Sequence, residues 1–192
     1  MGNCKNEIIK LGNKVRVSDP CYGTSVWCSG ELDNVKAGNY YVMVDVKKTD
    51  HWGIRVCSLA VFNVDSMGAK DLTDFNELVS FEVGVDSGQA GIYDAEYYNK
   101  YHTKDEVDDI WYDKICDLTL SKKLYGTTEN CVVSSSGYGD GGYDCFVCRN
   151  KEGQIVGIRI VFIEYEDDTE VGVEVQDTDP EMLQYYKDTY GI

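Results

Sequence analysis

Three short turns carry an acid among small residues, and they hold most of the side chains able to do chemistry. Ser18-Asp19-Pro20-Cys21-Tyr22-Gly23 is the first. Val85-Asp86-Ser87-Gly88-Gln89-Ala90-Gly91-Ile92-Tyr93-Asp94 is the second, and Ser134 to Tyr143, with Tyr138, Gly139 and Asp140 near its middle, is the third. Glycine and serine let backbone amides approach a ligand closely. Carboxylates with hydroxyl and amide neighbours suit a hard cation, a sugar-like polyol or an amine. The candidate ligand-binding set is therefore Asp19, Tyr22, Asp86, Ser87, Gln89, Tyr138, Asp140 and Tyr143. An Asp before Pro, Ser or Gly also closes an Asx-turn onto its own backbone, so each acid has a purely structural alternative.

Other constellations are weaker. Gly137-x-Gly139-x-x-Gly142 spells a dinucleotide fingerprint, but that motif needs a helix after its glycines, and here a strand-like run follows. Cys145-Phe146-Val147-Cys148 is a C-x-x-C without a second ligand pair; on a strand, residues three apart face opposite sides. His51 and His102 offer no paired ligand spacing. No cofactor is expected, a divalent cation held by the carboxylates being the one exception.

These turns must be held by strands. Runs rich in Val, Ile, Tyr and Phe at 14–17, 40–47, 54–62, 78–85, 131–135, 144–149, 155–165 and 171–175 predict β-structure. Asn150-Lys151-Glu152-Gly153 reads as a hairpin turn, and Ile155–Ile163, apolar on both faces, as a central strand. Thr103-Lys104-Asp105-Glu106 forms a capping box, and Val107, Ile110, Trp111, Ile115 and Leu118 follow at helical spacing. The spacing predicts a helix from about Lys104 to about Leu118, a short turn capped by Asp94, and a second helix opening at Asp179-Pro180. The expected fold is mainly β (α+β): an antiparallel sandwich or barrel-like sheet with one or two packed helices, in a single domain over residues 1–192.

The chain has 192 residues with 34 acidic and 18 basic side chains, a formal charge of −16. That balance argues against a nucleic-acid duplex and against an anionic membrane surface. Residues 1–60 hold eight bases and six acids, whereas nine acids and no base lie between Glu164 and Glu181. The N-terminus has no apolar signal core, and no run reaches the length of a membrane span. The expected location is cytoplasmic, with the eight cysteines as reduced thiols.

The V-D-S-G-Q-A-G element at Val85–Gly91 and the S-G-Y-G-D-G-G-Y element at Ser136–Tyr143 resemble those of a group of uncharacterised bacterial and phage proteins. More distantly they are similar to a bacterial domain-of-unknown-function family with an S-G-W-G-D-G element, where Tyr138 here replaces Trp. The resemblance covers most of residues 14–165 and implies a small cytoplasmic protein of a phage or mobile element. The leading expectation is a binding protein for a small polar ligand, one version being a host signalling nucleotide sequestered against host defence. That version requires the site to collect Arg16, Arg55, Arg149 or Arg159. The alternatives are a carboxylate- or metal-dependent hydrolase and an acidic module that meets a host protein; oligomerisation is compatible with any of these.

Overall fold

The structure is a computed structural model that describes residues 7–73, 75 and 79–164. The acidic stretch 165–181, the strand expected at 171–175 and the helix expected after Pro180 lie outside the described residues.

The strands in chain order are β1 (Ile8–Leu11), β2 (Lys14–Ser18), β3 (Gly30–Asp33), β4 (Gly38–Thr49), β5 (Gly53–Asn63) and β6 (Val79–Val85). They continue with β7 (Gln89–Asp94), β8 (Tyr125–Thr128), β9 (Cys131–Ser135), β10 (Gly141–Arg149) and β11 (Ile155–Val161). Two helices, α1 (Ala95–Tyr98) and α2 (Asp109–Thr119), lie between β7 and β8. One sheet has the order β1-β4-β5-β11-β10-β6, the other β3-β2-β7-β9-β8, and the strand pairs within both are antiparallel. The mainly β sandwich with packed helices follows from the alternation in these strands.

In β2, Val15 and Val17 are fully buried while Lys14 is exposed. They meet Val56, Leu59, Ile158 and Ile160 from the facing sheet in one apolar cluster. Each such aliphatic side chain stabilises the fold by roughly 1.5–3 kcal/mol relative to exposure. The strand apolar on both faces is β11, and it sits centrally between β5 and β10. Its second face contributes Val156 to a cluster with Phe62 and Phe75, so both sides are covered. Cys145 belongs to the inner cluster and Cys148 to the outer one, which separates the C-x-x-C pair across the sheet.

Two sequence expectations change. Gln89–Asp94, read as part of a turn, is the central strand β7 of the five-stranded sheet. Its small residues mask its β character, yet Gly91 is needed for room: a Cβ there would lie 2.4 Å from the Tyr93 ring. The helix begins at Asp109, not Lys104. Thr103 Oγ1 does accept from the Glu106 amide at 3.1 Å, but the chain then turns back, with Asp108 N donating to Tyr101 O at 2.8 Å. Asp108 is the actual N-cap, accepting from Trp111 N at 2.7 Å. Asp outranks Thr as an N-cap, which explains the later start. Trp111 and Ile115 face the sheet as expected, whereas Ile110 is exposed. Asp94 caps α1 through Tyr97 N at 3.0 Å, as its spacing predicts.

The helices cover the outer face of the five-stranded sheet through Tyr93, Tyr98, Trp111, Ile115, Cys131 and Val133. His102 lies buried in this layer, stacked on Tyr98 at 3.6 Å and edge-on to Trp111 at 4.6 Å. Its Nδ1 is 2.8 Å from Tyr98 O and its Nε2 is 3.2 Å from Pro20 O. Two carbonyls favour the imidazolium, as does Asp108, but burial, with the nearby Arg16, opposes them and prevails, so the pKa falls below 6.5. The neutral form therefore stabilises the fold fully above about pH 6.5, and this contribution is lost as pH falls through the lowered native value. Urea midpoints are expected to decline from pH 7 to pH 5, and His102→Gln is expected to flatten that decline. An identical slope in the variant would assign the acid sensitivity to other groups.

Candidate ligand-binding cleft

Asp19, directly after β2, is a fully buried carboxylate. Its Oδ2 accepts from the amides of Asp86 (2.8 Å) and Ser87 (2.7 Å), and its Oδ1 from Cys21 N (2.8 Å) and the Ser87 hydroxyl (2.7 Å). Two carboxylate oxygens offer about four acceptor sites, and four donors fill them. Asp19 is thus a staple that fixes the turn after β6 to the end of β2, with no acceptor left for a cation or substrate. The Asx-turn reading of Asp-Pro holds here, and the same side chain also bridges to the second acidic turn.

Tyr22 and Tyr143 serve their loops as well. The Tyr22 ring is buried, which raises its phenol pKa, and the negative charge of the neighbouring Asp86 adds to the shift. Tyr143 donates its hydroxyl to Ser136 O (2.9 Å) and Gly139 O (2.6 Å), closing the third turn, and burial raises its pKa too. Asp86 and Asp140 are exposed. The register pairs Gly141 with Val85, so these two acids flank the same end of the β6–β10 pair.

Beside these turns opens a cleft of about 530 Å³. Its floor is Ser87, Gly88 and Gln89; one wall is Ser135–Gly139; the other is the α2 stripe Tyr112, Cys116 and Thr119 with Leu120. Trp52 and Arg55, from the β4–β5 hairpin, overhang it, and Leu124 completes it. Of the residues expected from sequence, Ser87, Gln89 and Tyr138 line the cleft, while Asp19, Tyr22, Asp86, Asp140 and Tyr143 do not. Among the described residues no carboxylate lines the cleft, and Arg55 is the one formal charge there.

Gln89 is only 7% exposed. Its Oε1 accepts from Thr119 Oγ1 at 2.7 Å, and its Nε2 donates to Cys116 Sγ at 3.4 Å. That fixes the amide plane and leaves one N–H and one oxygen lone pair beyond these two bonds. Burial, with Cys116 adding and Ser87 opposing, pushes the Tyr112 phenol up to about 12, so at neutral pH it is a hydroxyl and not a base. Trp52 and Tyr138 meet edge-on at 6.4 Å at the mouth, 63% and 58% exposed.

Sequence reasoning missed Trp52, because a hairpin tip carries no site signature, and named Arg55 only as one of four arginines. It also missed Tyr112, Cys116 and Thr119. Their i, i+4, i+7 spacing, a polar stripe next to the apolar one, was the available signal. Of the four arginines named from sequence, only Arg55 reaches the cleft. Arg16 is buried and donates to Thr24 O and Ser29 Oγ, and Arg149 Nη1 donates to Gly153 O at 2.9 Å. Arg159 pairs in register with Ala60 and Phe146, away from the lining set. Among the described residues, no group of three or more His, Cys, Asp or Glu is arranged to hold a metal ion, and no helix is long and apolar enough to cross a membrane.

A family model described as a protein of unknown function (DUF4241) matches residues 14–160, which run from the start of β2 to the penultimate residue of β11 and include every described residue of the cleft. No curated protein and no solved structure matches the chain.

Proposed function

The chain belongs to that family of unknown function, and we propose that it is a small binding protein whose cleft holds a small polar ligand without transforming it. The observation that carries this reading is the buried Gln89 amide, oriented by Thr119 and Cys116 on the floor of a cleft that no carboxylate lines among the described residues. A volume of about 530 Å³ lies in the ordinary range for small-molecule sites, roughly 300–1,000 Å³. General acid–base chemistry needs a group that titrates near the working pH. Among the described residues the lining offers neither a carboxylate nor a histidine, and its Tyr112 phenol is held far above neutrality. The hydrolase alternative rests on Asp19, Asp86 and Asp140, none of which lines the cleft. In this reading the V-D-S-G-Q-A-G element supplies the cleft floor, and the resemblance to phage proteins makes the chain a cytoplasmic accessory protein of a phage or mobile element.

The test is a thermal-shift panel on the full chain with sugars, amino acids, carboxylic acids and nucleotides, followed by NMR of the recovered compound. A hit is expected to return unchanged. Gln89→Leu, similar in size but unable to hydrogen-bond, is expected to weaken it about tenfold or more. Turnover of the hit, abolished by Asp86→Asn with Asp140→Asn, would replace this reading with the hydrolase.

A further inference from the structure

We propose that the ligand is an anion carrying a flat ring, of the chemistry of a nucleoside monophosphate, with its ring against Trp52 and Tyr138 and its anionic group on Arg55. This rests on the cleft being the binding site. Three observations converge on it.

The first is charge placement. In a chain of formal charge −16, a cleft whose described lining residues include one arginine and no carboxylate is a local reversal. The surrounding hairpin extends it: from Lys47 to Arg55 the chain holds Lys47, Lys48 and Arg55 against Asp50 alone. Elsewhere the net negative field repels anions, so the site for one should stand out as such a reversal.

The second is register. Lys47 and Arg55 are direct partners across β4 and β5, so both side chains leave the same face of the hairpin. Like charges in that position destabilise a strand pair unless an anion offsets them. Among the described residues neither makes an ion pair; Arg55 Nη1 donates only to Ile54 O at 3.0 Å. A guanidinium has five N–H donors, and the others remain available to a phosphate or carboxylate fork.

The third is the pair of aromatic faces. Trp52 and Tyr138 are large hydrophobic side chains left exposed, and both stand at the cleft mouth. Exposed rings gain little where they are. They gain when a flat ligand ring stacks on them and covers them. Gln89 on the floor supplies an amide, a group whose geometry suits the hydrogen-bonding edge of a base such as adenine.

Calorimetry of the full chain with adenosine 5′-monophosphate and its guanosine, cytidine and uridine counterparts, with the parent nucleosides and with inorganic phosphate, tests this. At least one monophosphate is expected to bind more tightly than its nucleoside and than phosphate, quenching tryptophan fluorescence. Arg55→Gln is expected to weaken that monophosphate about tenfold and leave the nucleoside roughly unchanged. Trp52→Ala is expected to weaken both about tenfold. Both variants lie on an exposed hairpin, and unchanged melting curves serve as the folding control. Monophosphate binding indifferent to both substitutions overturns the inference. So does binding of a neutral sugar or amino acid, lost in Gln89→Leu, when no nucleotide binds; the cleft reading then survives. If no compound of any class binds, both fall.

Discussion

Asp19→Ala is expected to destabilise the protein by about 3 kcal/mol or more in urea unfolding. The carboxylate is fully buried and accepts from three backbone amides and one hydroxyl. Hydrogen bonds to a charged acceptor contribute about 1.5–3 kcal/mol each, and a buried donor left without a partner costs about 1–3 kcal/mol. Some relaxation and water entry reduce the sum, which is why the expectation stays near the upper range of single substitutions. Asp19→Asn is expected to lose nearly as much, because one amide end would set its own N–H groups against facing donors. Asp86→Asn and Asp140→Asn, both exposed, should stay within about 0.5 kcal/mol of the parent. An Asp19→Ala loss under 1 kcal/mol would show that the staple is dispensable. The consequence reaches function, because the amides that Asp19 fixes belong to the turn whose Ser87 and Gly88 floor the cleft.

The contrast among these three acids shows how far the residues themselves could be read. All three sit among small residues in turns, so their local sequence is nearly interchangeable. What separates them is non-local: Asp19 meets partners 67 and 68 positions away, whereas Asp86 and Asp140 remain at the surface. Strands with strong β-branched and aromatic content, such as β5 and β11, are legible because one face must be buried whatever their partners are. β7 is less so, since Gly91 is set by the Tyr93 ring and not by any turn. The start of α2 depended on two competing caps, and only the chain reversal at 102–107 decides between Thr103 and Asp108. The cleft was half legible: Ser87, Gln89 and Tyr138 carry local motif signals, while Arg55, Trp52 and the α2 stripe are brought there by pairing and packing across the fold.

Trp111→Ala is expected to cost about 3–5 kcal/mol and to abolish ligand binding at temperatures where the variant still folds. Trp111 is 3% exposed and is the ring on which the outer layer converges. It lies 5.9 Å from Tyr93, 6.0 Å from Tyr98, 5.6 Å from Tyr101 and 4.6 Å from His102, and its Nε1 donates to Tyr97 Oη at 3.1 Å. Deleting an indole from such a site removes its transfer free energy and leaves a cavity that rigid aromatic neighbours fill poorly. It also loosens α2, whose next residue is Tyr112 of the cleft wall, with Cys116 and Thr119 following on the same helix. Gln89 takes its orientation from those two residues, so the loss should appear in affinity before the global unfolding transition is reached. Ile110→Ala, one position earlier but 70% exposed, is the internal control and should change neither quantity measurably. If Trp111→Ala melted lower yet bound its ligand as tightly as the parent, the α2 wall would be a bystander and the cleft's affinity would reside in the hairpin and the two glycine turns alone.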